Sequence, residues 1–202
     1  SINTSFSYAY NADGLRTQKT VGGKTYHYYW NGTQLEAMTV TVNSVTHAFY
    51  FYYDTSGSLY AVKNYDTSTS IWRTSLYITN VQGDVVAIVD AASGNTVATY
   101  EYDAWGNILS KTSPASFNPI LFSFNPFTYR GYIYDNETGF YYLQTRYYDP
   151  VIGRFINADD LSYLGEDGSF TSFNLFAYCG NNPVSGYDPT GTWDWGKFWS
   201  GL

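Results

Sequence analysis

The sequence predicts an all-β fold of antiparallel hairpins stacked into an extended sheet. Three observations predict it. Aromatic residues make up 21% of the 202 positions, with 23 Tyr, 13 Phe and 6 Trp. A chain so rich in rings must bury or stack them. The tyrosines alternate with small or polar residues, the period-2 signature of a half-buried strand. The alternating runs then end in Asp-x-x-Gly or Asn-Gly, where Asp or Asn bonds its own backbone and Gly supplies a positive φ.

The phrase recurs along the chain. It reads YAYNADGLR at 8–16, YHYYWNGTQL at 26–35 and FYYDTSGSL at 51–59. It returns as YEYDAWGNIL at 100–109, YIYDNETGFYY at 132–142 and RYYDPVIGRFI at 146–156. Each copy reads as a strand and the turn that leads into the next strand, the unit of a β-hairpin. Repeats that cannot each bury a face must stack on their neighbours. Equivalent tyrosines then lie beside one another across strands, where a good aromatic pair adds about 0.5–1.5 kcal/mol. Residues 1–110 are read as hairpin repeats. Residues 111–127, KTSPASFNPILFSFNPF, carry three prolines and no clean period and are read as a loop or crossover. A short helix is expected within 168–182, with Thr171 or Ser172 as its N-cap.

Composition excludes several functions. A net charge of −7 disfavours a duplex nucleic-acid partner and an anionic membrane surface. No apolar run is long enough to span a bilayer, so membrane insertion by this chain is not expected. Residues 1–20 lack a basic start followed by an apolar run, and Ser1 in place of an initiator Met reads as the start of a fragment. Cys179 is the only cysteine, so no intrachain disulfide is possible. His27 and His47 stand apart from each other and from Cys179, which points to no metal and no cofactor. No Ser-His-Asp order and no phosphate-binding Gly loop stands out.

The Tyr-x-Tyr-Asp-x-x-Gly phrases resemble YD repeats. The run TYRGYIYDNETGFYYLQTRYYDPVIGRFINADD, followed by NLFAYCGNNPVSGYDPTG, resembles the RHS repeat-associated core domain. That core closes the YD-repeat shell of Rhs toxins, wall-associated toxins, teneurins and Tc-toxin C subunits. The resemblance implies a curved or spiralling sheet, part of a hollow shell, that ends in a core plug at 128–192. Residues 193–202 then begin a variable region. It implies a bacterial secreted or cell-surface protein rather than a disulfide-rich animal receptor. The implied partners are its own C-terminal toxin segment, upstream YD repeats of the same protein, and an immunity protein or delivery machinery.

Many family members are also aspartic self-peptidases that cut after an Asp-Pro-x-Gly-Leu motif. Carried over residue by residue, the catalytic candidates are Asp159 in GRFINADD, Asp188 in GYDPTG, and Arg154, which matches the Gly-Arg-Phe arginine. The implied scissile bond joins Thr192 to Trp193. Two positions depart from the pattern: Asp160 follows Asp159 in place of Pro, and Thr192 stands in place of Leu. Two carboxylates at close range cannot both ionise freely, which suits one to act as base and the other as acid. Plainer roles remain open for the same residues. Asp188 opens an Asp-Pro-Thr-Gly turn, as Asp149 opens Asp-Pro-Val-Ile, and Arg146 or Arg154 can simply pair with these acids. A surface adhesin whose aromatic rows bind carbohydrate, without catalysis, is the alternative function.

Overall fold

The computed structural model describes residues 5–66, 70–114, 117–165 and 173–192. The chain divides into two compact units, residues 1–100 with 111–125 and residues 101–110 with 126–202.

Among the described residues, ten strands follow one another as a meander, each beside the next in sequence. They are β1 Phe6–Tyr10, β2 Arg16–Val21, β3 Lys24–Asn31, β4 Gln34–Val42 and β5 Val45–Tyr53. Then come β6 Leu59–Asp66, β7 Ile71–Thr79, β8 Val85–Asp90, β9 Thr96–Tyr102 and β10 Ile108–Thr112. Every pair from β1–β2 to β8–β9 is antiparallel.

The repeated phrase in the sequence becomes a repeated loop. In the β1–β2, β5–β6 and β7–β8 turns, Asn11, Asp54 and Asn80 use one side-chain oxygen to accept the N–H groups two and four residues on. The glycine at the fourth position returns its N–H to the first carbonyl. The backbone there has positive φ, which is why glycine recurs. A register shift falls just before each of these loops, at Ala9/Tyr10, Tyr52/Tyr53 and Ile78/Thr79. Such β-bulges increase the local twist. Between β2–β3 and β4–β5 the turns are two-residue, Gly22-Gly23 and Asn43-Ser44, all with positive φ, as hairpin twist demands.

Alternation in sequence becomes two faces. On β5, His47, Phe49 and Phe51 are buried while Tyr50 and Tyr52 are exposed. Phe49 lies opposite Met38 on one side and Asn64 on the other, and Phe51 lies opposite Val62. Burying each such large apolar side chain contributes about 1.5–3 kcal/mol. The opposite face carries exposed rings. Trp72 sits 5.6 Å from Tyr50 and 5.0 Å from Tyr65, tilted by 42° and 45° rather than stacked flat.

The stretch 111–127, expected to be a loop, contains a helix, α1 Pro119–Phe124. Proline breaks helices from inside but starts them well, because its missing N–H has no partner in the first turn. Asn118, in the left-handed region that Asn tolerates, caps α1 by accepting the Leu121 N–H. Its amide also pairs reciprocally with that of Asn64 at 2.9 and 3.2 Å, fully inside the unit. Leu121 is buried, and Phe124 lies against Tyr26 and His47. Asn125 then accepts from the Tyr77 hydroxyl at 2.7 Å and donates to the Tyr100 hydroxyl.

The second unit holds a four-stranded antiparallel sheet, β11 Ile133–Asp135, β12 Phe140–Tyr142, β13 Tyr147–Asp149 and β14 Arg154–Phe155. Its core is a tyrosine cluster, with Tyr129, Tyr132, Tyr141, Tyr148 and Tyr178 buried around Leu143 and Phe155. Buried phenols need partners. The loop at 103–107 supplies them through three successive carbonyls. Tyr129 donates to Ala104 at 2.9 Å, Tyr148 to Trp105 at 2.7 Å and Tyr141 to Gly106 at 2.7 Å. Asp103 shapes that loop with the same two backbone contacts as Asn11 and Asp54.

The helix expected within 168–182 is absent from the described part of that range. Residues 168–172, with both N-cap candidates, lie outside the described residues. Beyond them Cys179–Asn181 forms a tight turn with φ of 50°, 58° and 64° at successive residues. Left-handed backbone cannot propagate as an α-helix of L-residues.

Candidate functional site

Arg146 enters β13 from the β12–β13 loop, and its guanidinium is buried in the second unit. Every nitrogen of the fork is used. Nη2 meets Asp159 Oδ2 at 2.8 Å and Asp188 Oδ2 at 3.3 Å. Nη1 donates to the Leu175 carbonyl at 3.0 Å, and Nε donates to the Gly191 carbonyl. The plane lies 3.5 Å above the Phe155 ring centroid. A planar, always charged fork suits such a site where a lysine does not.

Both carboxylates are held. Asp188 Oδ1 accepts the N–H groups of Thr190 and Gly191 at 3.3 and 2.8 Å, the Asx turn expected of Asp-Pro-x-Gly. The Asp188 N–H donates to the Tyr132 hydroxyl at 2.9 Å, and that hydroxyl lies 3.1 Å from Tyr178 Oη. Asp159 accepts from Asp160 N–H and donates its own N–H to the Leu175 carbonyl. Burial pushes the Asp188 carboxyl up to about 6, against the pull of Arg146 and of the two backbone donors. Burial also lowers the affinity of Arg146 for its proton, and the two acids oppose that. Because both Oδ2 atoms bond one nitrogen, they lie within about 6 Å of each other. Below about pH 6 Asp188 carries a proton beside the Arg146 guanidinium.

Of the sequence candidates, Asp159 and Asp188 come together on Arg146. Arg154 does not join them. It is exposed on β14, opposite Asp149, and bridges by backbone to Ala177. Thr192 is half-buried, with its hydroxyl 2.8 Å from that of Thr190. Trp193 lies outside the described residues. Asp160, standing where the pattern has Pro, caps the turn at Leu161–Tyr163 by accepting from Ser162 N–H, and that contact lowers its pKa. His47 stacks on Phe124, far in sequence from Cys179, and among the described residues no group of three metal-ligating side chains comes together. Burial pushes the Cys179 thiol far up, out of the reactive range.

The sequence model of the teneurin YD-shell matches residues 2–184. The chain belongs to the YD-shell family. This bears out the resemblance carried by the Tyr-x-Tyr-Asp phrases. The YD-shell chain is 39% identical over 191 residues to tRNA nuclease WapA of Bacillus subtilis, covering 94% of itself and 8% of WapA. It is 33% identical over 89 residues to toxin protein Tse5 of Pseudomonas aeruginosa, covering 44% of itself and 6% of Tse5. The crystal structure of TcdB2-TccC3 matches its fold with a TM-score of 0.70 at 20% identity, over 95% of this chain and 9% of that one. The chain thus spans less than a tenth of the length of these relatives.

Proposed function

We propose that this YD-shell chain is the last portion of the shell and the core plug of a bacterial secreted or surface polymorphic toxin. It encloses a C-terminal toxic segment and cuts itself after Thr192 to free it. Its partners on this reading are that segment, the upstream repeats, and an immunity protein or delivery machinery. One observation carries the cutting step: two buried carboxylates share one guanidinium nitrogen, and Thr192 follows Asp188 by four residues.

The step is a hydrolysis. Ionised Asp159 takes a proton from water, whose oxygen bonds to the Thr192 carbonyl carbon. Protonated Asp188 gives its proton to the departing nitrogen of Trp193 as the C–N bond breaks. Arg146 neutralises the carboxylate charge and holds the Gly191 carbonyl, which fixes the peptide just before the cut. Asp188 must be protonated to act as the acid, so the rate should rise as pH falls from 7 towards 5.

Mass spectrometry of a chain extended past Leu202 tests this. The expected result is a product ending at Thr192, formed about a hundredfold more slowly or worse in Asp159→Asn and Asp188→Asn, about two decades being the low end for losing an acid or base. A full-length band that persists equally in wild type and both variants would sink the peptidase reading.

A second reading, sugar binding, is favoured by the exposed Tyr50 and Trp72 rings beside half-buried Tyr65, with Lys63 Nζ 5.3 Å above Trp72. On a glycan array it requires binding that disappears in Trp72→Ala. No binding by the wild type removes it.

A further inference from the structure

The loop between β12 and β13 closes in a rare way. Thr145 N–H donates to the Leu143 carbonyl at 2.8 Å across Gln144, whose φ is 66°. A three-residue turn closed at positive φ is the strained form of γ-turn, and such strain persists only where surrounding contacts hold it. Here those contacts run to the segment after Asp188. Thr145 Oγ1 donates to the Thr190 carbonyl at 2.8 Å, and its shared N–H lies 3.2 Å from the same oxygen. Arg146 grips the next carbonyl, Gly191. The approach is close enough to forbid a side chain: a Cβ at Gly191, where φ is +77°, would lie 2.7 Å from both Leu143 O and Thr145 Oγ1. Two successive residues therefore hold two successive carbonyls immediately before Thr192.

We infer that Thr145 is a positioning residue for the cut. Its hydroxyl, presented by the strained Leu143-Gln144-Thr145 turn, sets the register in which residues 190–192 lie against Asp159 and Asp188, and so selects the bond that is hydrolysed. This rests on the self-cleavage reading above. Arg146 is already committed to the two acids, while Thr145 bonds the Leu143 and Thr190 carbonyls, so register and acid–base chemistry are separable.

The test uses the extended chain with Thr145→Val and Thr145→Ser, reading the first-order cleavage rate, its pH midpoint and the mass of each product end. Thr145 is exposed, so the Val variant should still fold, its melting temperature lowered by no more than the loss of one hydrogen bond. Where Val disturbs the turn, Thr145→Ala replaces it and must give the same changes. The expected result is cleavage about tenfold slower in Val, the upper range for losing one neutral hydrogen bond. A fraction of its product ends should fall at bonds other than 192–193. Ser should cut within about twofold of wild type with a single product end, as retention of the hydroxyl implies. The pH midpoint should be the same in all three, since neither acid is touched. A Val variant that cuts at the wild-type rate with one product end overturns the inference and leaves the self-cleavage reading standing. A wild type that is never cut overturns both.

Discussion

Arg146→Met is expected to lower folding stability by about 3–5 kcal/mol, the cost of leaving buried charges without their partner. The substitution removes the bonds to the Gly191 and Leu175 carbonyls and both ion pairs, and strands Asp159 and Asp188 with side chains 6% and 3% exposed. Met fills much of the volume over Phe155, so the loss is electrostatic rather than a cavity. Adding Asp159→Asn and Asp188→Asn should therefore restore part of the stability, because neutral amides need no counter-charge. If the triple variant is less stable than Arg146→Met alone, the interaction is not governed by uncompensated charge. Urea unfolding across pH separates the cases further. In the wild type the Asp188 pKa is raised to about 6 on folding, from an ordinary value of about 3.9. The folded state then binds more protons between these values. The contribution of Asp188 is fully present below about pH 4 and is lost as pH rises through 6. Without Arg146 the folded pKa climbs higher still, so the loss should extend to higher pH and be larger at neutrality.

Gly106→Ala should cost a comparable amount, about 2–6 kcal/mol, by two additive routes. The backbone at Gly106 has φ +91°, which strains any other residue by about 1–3 kcal/mol. A Cβ would also meet Tyr129 Cδ1 at 2.6 Å, and overpacking costs about 1–3 kcal/mol. The ring has nowhere to go, since Tyr129 is buried among Tyr102, Tyr132 and Tyr141 and its hydroxyl is tied to Ala104. Gly83→Ala is the matched control, with φ +86° and open space where the Cβ would stand. Thermal melting should show a drop for the Gly106 variant clearly larger than for the Gly83 variant. Equal drops would mean that strain alone matters.

Much of the fold is local chemistry and was therefore readable. Asn11, Asp54, Asn80 and Asp103 each make the same loop because a side-chain oxygen two and four residues from its donors needs no distant partner. Helix α1 is hidden in the sequence because Pro119 reads as a breaker on composition, while its place directly after Asn118 makes it a starter. The exchange of Arg146 for Arg154 turns on strand parity. Phe155 occupies the buried face of β14, so its neighbour Arg154 must point away, whereas Arg146 shares alternation with buried Tyr148. That signal was present in the sequence. The Leu175 carbonyl and the Tyr132 hydroxyl were not legible, because they arrive 29 and 56 residues from the groups they bond.

The three tyrosine hydroxyls seated on the carbonyls of Ala104, Trp105 and Gly106 also dictate an order of assembly. The 103–107 loop is made from contacts within five residues and forms quickly, whereas the phenols that cap it come 25 to 43 residues after the carbonyls they bond. As the chain emerges N-terminus first, the loop is ready before Tyr129 appears, and Tyr148 seals it last. The loop is thus a template on which the second unit condenses, and a change that slows its closure should delay refolding of that unit.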